Sequence, residues 1–322
     1  MNIGKRFKAA LRVLAGRDMV MTGLAANAAA TSVEGSVRPL AVCAPGRSGT
    51  TFLMQLLLSS PQVVFEPHYP YERRYLAYFE RMASLLGGEF RPQGRWDNAA
   101  VVAQPWDGTL KPLPFRPQIV SNDRLQTTAL QRLWAGFASL LEEEHSDRVQ
   151  ELESKPLYYA EKVPLQLASR MRSVFPLRVL HLVRDPRDIL LSQIAFCRKK
   201  GVNAFGWNPE MSQADFARFF APRQKGRLGQ LAMLQETDYD QLIRYEDLIV
   251  DLERQVERLS TWLGIELSGR DALSNSAAYT KHRTAPEEQG SVYRWQKELE
   301  PEAAAVFEET IGKELSELNY PI

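Results

Sequence analysis

The chain has little cysteine, little histidine, no long apolar run and almost no excess of either charge. Its 322 residues include only Cys43 and Cys197, too few for a disulfide framework. Each cysteine lies in an apolar stretch, so both read as buried free thiols, consistent with a reducing compartment. Four scattered histidines and two distant cysteines give no metal-ligand spacing, so no metal is expected. The lack of any run of about 18 apolar residues argues against a membrane-spanning helix. Forty Lys and Arg stand against 39 Asp and Glu, a formal net charge of +1. General polyanion binders carry a global basic excess, so nucleic acid is not an expected partner. A near-zero sum still leaves room for a small pocket of clustered cations. With 44% hydrophobic and 25% charged residues, the composition is globular, and the length suits one large α/β domain or two ordinary ones.

The beginning of the chain differs from the rest. Lys5, Arg6, Lys8, Arg12 and Arg17 are basic, and no acid precedes Asp18. Phe7, Ala10, Leu11 and Leu14 recur at helical spacing. Residues 2–17 therefore read either as a basic amphipathic helix making weak peripheral contact with anionic lipid, or as a solvated helix loosely docked. Arg17 and Asp18 interrupt the apolar region, so a cleaved signal peptide fits poorly. Residues 1–38 are read as an extension and 39–322 as the main domain.

Within that domain, strand-like runs alternate with helical patterns. Leu40–Ala44, Val63–Phe65, Val179–Val183 and Gln241–Tyr245 read as strands. Helices are expected over 50–59, 71–86, 123–146, 164–175, 186–200, 212–221, 251–263 and 301–318. Between Gly87 and Asn122, five prolines and four glycines mix with Trp96, Trp106 and Phe115, an irregular insert of the kind that forms binding loops. Residues 270–300 are likewise irregular. The alternation predicts an α/β fold with a central, mostly parallel sheet flanked by helices, and ligands at the carboxyl ends of its strands.

Two strand ends carry anion-binding chemistry. Ala44-Pro-Gly-Arg-Ser-Gly-Thr-Thr51 lies between a strand and a helix. Small residues let the backbone curl its N–H groups around one anion, and the helix N-terminus adds its positive end. Arg47 supplies charge; Thr50 and Thr51 supply hydroxyls. The loop lacks the lysine of a triphosphate loop, since Thr50 takes that position. A shorter phosphate chain is expected, and no acidic strand end for Mg²⁺ is evident. The second stretch is His181-Leu-Val-Arg-Asp-Pro-Arg-Asp-Ile-Leu-Leu-Ser192. Arg184 ends a strand, Asp185 suits the helix N-cap and Pro186 its first position. Ser192 follows roughly 10 Å along the helix. Arg184 and Ser192 together suit a second phosphate.

These residues resemble the sulfotransferase family. Arg47-Ser-Gly-Thr-Thr is similar to its 5′-phosphosulfate loop, and Leu182-Val-Arg-Asp-Pro-Arg-Asp with Ser192 to its 3′-phosphate motif. Glu161-Lys-Val-Pro164, Arg244-Tyr-Glu-Asp-Leu248 and Tyr293-Arg-Trp295 follow in the family's order. The likeness spans about residues 40–320, closer to the carbohydrate and tyrosyl-protein branches and their bacterial relatives than to the small-phenol branch. It implies a P-loop-type three-layer fold and 3′-phosphoadenosine 5′-phosphosulfate as donor, without metal. Arg47, Ser48, Gly49, Thr50 and Thr51 would then cradle the 5′-phosphosulfate. Arg184 and Ser192 would take the 3′-phosphate, and Tyr245 would contact the nucleotide. The segment 281–295 resembles the loop that closes over the nucleotide, with Lys281, Arg283, Ser291 and Arg294 as candidate contacts.

Transfer to an acceptor hydroxyl needs a base and a cation near the leaving phosphate. Glu66 is the first candidate base, His68 the second, and Lys162 is similar to the family lysine at the bridging oxygen. The expected acceptor is a carbohydrate, glycolipid or other small metabolite, with aromatic residues of 87–122 and 203–220, Trp207 among them, beside it. The expected setting is cytoplasmic and bacterial. A Mg²⁺- and ATP-dependent kinase on a related fold, and a non-catalytic nucleotide-binding protein, remain alternatives.

Overall fold

A computed structural model describes residues 37–66, 71, 73–86, 121–151, 157–269 and 289–322. Residues 1–36 of the extension, His68, Trp96, Trp106, Lys281 and Arg283 lie outside the described residues, and the last two residues of the extension, 37–38, begin the first strand. Five strands form one sheet: β1 (Val37–Cys43), β2 (Val63–Val64), β3 (Leu157–Lys162), β4 (Arg178–Val183) and β5 (Asp240–Arg244). The order is β2-β3-β1-β4-β5, and every pairing is parallel. The sheet is thus wholly rather than mostly parallel.

Both faces of the sheet are covered, as parallel sheets require. Leu40, Val42, Tyr158, Ala160, Leu180, Leu182 and Ile243 face α1 (Thr50–Leu58), with α8 (Tyr245–Val250) and α9 (Leu252–Leu263) packed alongside. Ala41, Cys43, Tyr159 and Val179 point the other way. They meet α2 (Tyr75–Leu86), α3 (Asn122–Glu144) and α5 (Leu165–Arg172), while α4 (Ser146–Glu151) follows α3. A third cluster joins α6 (Pro186–Lys200), α7 (Gln213–Ala232) and α11 (Pro301–Glu317), with α10 (Trp295–Glu298) preceding α11. Both cysteines are buried free thiols. Trp207 is buried in the third cluster.

Two elements depart from the sequence expectation. The strand Leu157–Lys162 was not expected, because its polar end obscures a buried strand; Glu161 is buried through specific hydrogen bonds described below. Helix α7 runs on through Pro222 to Ala232, where a break near 221 was expected. Proline costs one backbone hydrogen bond, but Leu228 and Leu231 beyond it are buried in the third cluster.

The chain leaves β1 toward β2 on one side and leaves β4 toward β5 on the other. The carboxyl ends of the adjacent strands β1 and β4 therefore bound a switch-point crevice. Below it, His181 Nε2 lies 2.9 Å from Asp240 Oδ1, and Arg172 Nη1 donates to Asp240 Oδ2 at 2.6 Å. Burial pushes the Asp240 carboxyl up, but these two partners more than offset it and leave it below the usual carboxylate range. Such a group stabilises the fold above its unfolded pKa and loses that contribution as pH falls through the folded value. Urea unfolding at pH 7 should show Asp240→Ala less stable by about 2 kcal/mol, with the deficit shrinking below about pH 4. An equal deficit at pH 7 and pH 3 would contradict the assignment.

Candidate active site

Register places the predicted residues along one edge of the sheet. Val42 pairs with Lys162, Cys43 with His181, and Val183 with Arg244. The loop after β1, Lys162 at the end of β3, Arg184 after β4 and Tyr245 after β5 therefore share the carboxyl edge.

The loop after β1 owes its curl to two left-handed residues, Arg47 at φ 72° and Gly49 at φ 92°. Gly49 is the N-cap of α1 and contributes no side-chain cap. A Cβ on Gly49 would lie 2.2 Å from Cδ2 of Tyr245, so the ring after β5 packs directly on the glycine. Ser48 is fully buried, and among the described residues its Oγ has no hydrogen-bond partner. Thr50 and Thr51 open the helix, partly buried.

Arg184 ties this loop to the second motif. Its Nη1 donates to the Arg47 carbonyl at 3.0 Å and its Nη2 to the Ser291 carbonyl at 2.7 Å, while its guanidinium stacks 4.4 Å from the centre of the Tyr245 ring. Its Nε is buried without a partner. Tyr245 Oη lies 2.8 Å from Ser291 Oγ. Arg47 Nε donates to Ser192 Oγ at 3.2 Å, and its guanidinium faces Phe196 at 5.1 Å. Gln193 Nε2 reaches the Gly46 carbonyl at 3.5 Å. The two predicted anion motifs are therefore one cluster. Arg294 stands apart from these contacts, with Nη2 donating to Glu298 at 2.8 Å.

Asp185 caps α6, accepting from the Arg187 backbone N–H at 2.9 Å, and its carboxylate pairs with the Arg187 side chain. The Asp185 N–H donates to Glu246 at 2.9 Å, and Tyr320 Oη donates to the other Glu246 oxygen at 3.1 Å. Burial pushes the Glu246 carboxyl up to about 7. Asp188 accepts from the Trp295 N–H at 2.9 Å; burial moves it up to about 6, against the pull of Arg184. Glu246 thus braces the strand end that carries Arg184, while Asp188 holds the start of α10 against α6. Glu246 belongs to a stretch singled out in the sequence, but nothing in its spacing signalled this bracing role.

Glu66 and Lys162 occupy the opposite flank. Glu66 forms an ion pair with Arg73, an arm that is 60% exposed. Lys162 Nζ sits 5.7 Å above the Tyr71 ring. Glu161, one residue earlier, turns the other way. It accepts from Tyr159 Oη at 2.7 Å and from the Leu76 N–H at 3.1 Å, at the start of α2. Burial raises its carboxyl despite those bonds. Glu161, within β3, thus anchors the start of a helix. Among the described residues no three His, Cys, Asp or Glu side chains cluster as metal ligands, and no helix is long and apolar enough to cross a membrane. His68 lies outside the described residues. The Gly49 geometry gives a direct expectation: Gly49→Ala should destabilise the fold by about 1–3 kcal/mol in urea unfolding, because Cβ and the Tyr245 ring cannot share the space and φ is positive. Unchanged stability would contradict it.

Solved structures with similar folds include the sulfotransferase domain from the curacin biosynthetic pathway, at 16% identity and TM-score 0.44, with 88% of this chain and 98% of that one covered. A sulfotransferase from Alicyclobacillus acidocaldarius is similar at 13% identity and TM-score 0.42, covering 88% and 97% of the two chains. A mouse sulfotransferase complexed with PAP is similar at 12% identity and TM-score 0.44, covering 87% and 85%. No curated protein matches the chain. The family model described as "Sulfotransferase family" matches residues 39–269, a span that holds the glycine loop, Glu66, Lys162, Arg184, Ser192 and Tyr245. By that match the chain belongs to the sulfotransferase family.

Proposed function

We propose that this sulfotransferase moves a sulfonate group from 3′-phosphoadenosine 5′-phosphosulfate to a hydroxyl of a carbohydrate, glycolipid or other small metabolite. The observation that carries the reading is the junction of two anion motifs through Arg184, at the switch point of a parallel sheet. A donor with separate 5′ and 3′ phosphates calls for two linked anion sites and no lysine for a γ-phosphate. The orphaned Ser48 Oγ and Arg184 Nε fit such a ligand, since buried polar atoms ordinarily find partners.

On this reading residues 47–51 hold the 5′ group, with the curled backbone and the α1 N-terminus supplying donors. Arg184 and Ser192 hold the 3′-phosphate, and Tyr245 lies against the nucleotide. Arg294, paired with Glu298, is a nucleotide contact by resemblance alone. When bound, the donor supplies an activated sulfonate on a good leaving group. Glu66 takes the proton from the acceptor oxygen. Its mostly buried carboxylate is paired with the exposed arm of Arg73. Lys162 donates to the departing phosphate oxygen, opposing charge where it develops. His68 is the second candidate base.

Two measurements test this reading. Calorimetry should show adenosine 3′,5′-bisphosphate binding without Mg²⁺, and Arg184→Ala should weaken it roughly tenfold to a hundredfold. Binding only with Mg²⁺, or of ATP instead, would favour a phosphotransferase. With labelled donor and a panel of hydroxyl acceptors, Glu66→Gln and Lys162→Met should each lower turnover by about 10²-fold to 10³-fold while keeping bisphosphate affinity within a few-fold. Unaltered turnover in both variants would remove these residues from the chemistry, and loss in His68→Ala alone would transfer the base role to His68.

A further inference from the structure

Arg227, in the middle of α7, was not singled out by any sequence motif. Its Nη2 donates to the Leu182 carbonyl at 2.8 Å and reaches the Cys43 carbonyl at 3.5 Å. These are the strand ends that lead into Arg184 and the glycine loop. The side chain therefore sits behind both anion motifs and bridges the adjacent strands β1 and β4.

Among the described residues no carboxylate pairs with Arg227, and the titratable groups that face it are the Cys43 thiol and the Tyr320 hydroxyl. Burial holds both neutral, with Cys43 pushed up to about 12 and Tyr320 well above its ordinary value. The Glu246 carboxyl lies one hydrogen bond further, beyond Tyr320. Burial also pulls the guanidinium down to about 10. A buried charge is costly unless something compensates it. The carbonyl bonds satisfy donors but do not supply a negative charge.

We infer that Arg227 is an electrostatic positioning residue of the donor site: its unpaired charge is compensated by the anionic nucleotide that the two motifs bind, and its bridge fixes the spacing of those motifs. The inference rests on the donor site proposed above. It makes the unliganded protein carry a strain that ligand binding relieves.

A structural arginine and a ligand-directed one predict opposite results. Arg227→Gln keeps a polar side chain but removes the charge. Thermal denaturation should show the ligand-free melting temperature unchanged or raised. Calorimetry should show affinity for adenosine 3′,5′-bisphosphate lowered about tenfold, the effect of unit charges at separations of roughly 10 Å in a medium of effective dielectric near 20. Arg227→Lys, which keeps the charge, should stay within about threefold of the parent affinity. A lowered ligand-free melting temperature with unchanged affinity would overturn the inference. So would failure of both variants to fold, which would mark a purely structural residue. If the parent chain itself does not bind the bisphosphate, the donor site falls and this inference with it. If the parent binds and Arg227→Gln binds equally well, only the inference about Arg227 falls.

Discussion

The hydrogen bond from Arg184 to the Arg47 carbonyl is the contact on which the site depends. With it, one guanidinium at the end of β4 touches the loop after β1, the Tyr245 ring after β5 and the 289–291 segment. Arginine suits this position because its planar fork donates in several fixed directions while its face stacks on an aromatic ring. Gly49 is the complementary constraint. The absence of a side chain there is what lets Tyr245, and so Arg184 stacked on it, come down onto the phosphate loop.

The surrounding carboxyls serve this arrangement without neutralising it. Asp185 is spent on Arg187 and on the helix cap, while Asp188 and Glu246 are pushed up by burial and hold backbone N–H groups. Among the described residues, Arg47, Arg184 and, behind them, Arg227 gather at the crevice. Thus a chain with a net charge of only +1 concentrates positive charge at one edge of its sheet. The global balance argues against a bulk polyanion binder, and the local gathering of cations supports the proposed site for one small anion.

Much of this was legible in the sequence because it follows from local rules. Asp185 and Pro186 open α6 by cap chemistry, and its limits, Pro186–Lys200, agree with expectation. The glycine loop and Arg184 were legible as strand-to-helix junctions. What stayed hidden depends on contacts between distant segments. The strand at Leu157–Lys162 was obscured by Glu161, whose burial makes sense only once the start of α2 supplies N–H donors. Helix α7 passes Pro222 because of tertiary packing, which no local propensity encodes. Arg227 is invisible to any motif, since its partners are backbone carbonyls 45 and 184 residues away.

The most direct test of the central claim is a crystal structure of the chain with adenosine 3′,5′-bisphosphate. The account predicts one phosphate on the backbone of residues 47–51 and the other within hydrogen-bond distance of Arg184 and Ser192. A nucleotide bound elsewhere, or a vacant crevice at saturating ligand, would contradict it.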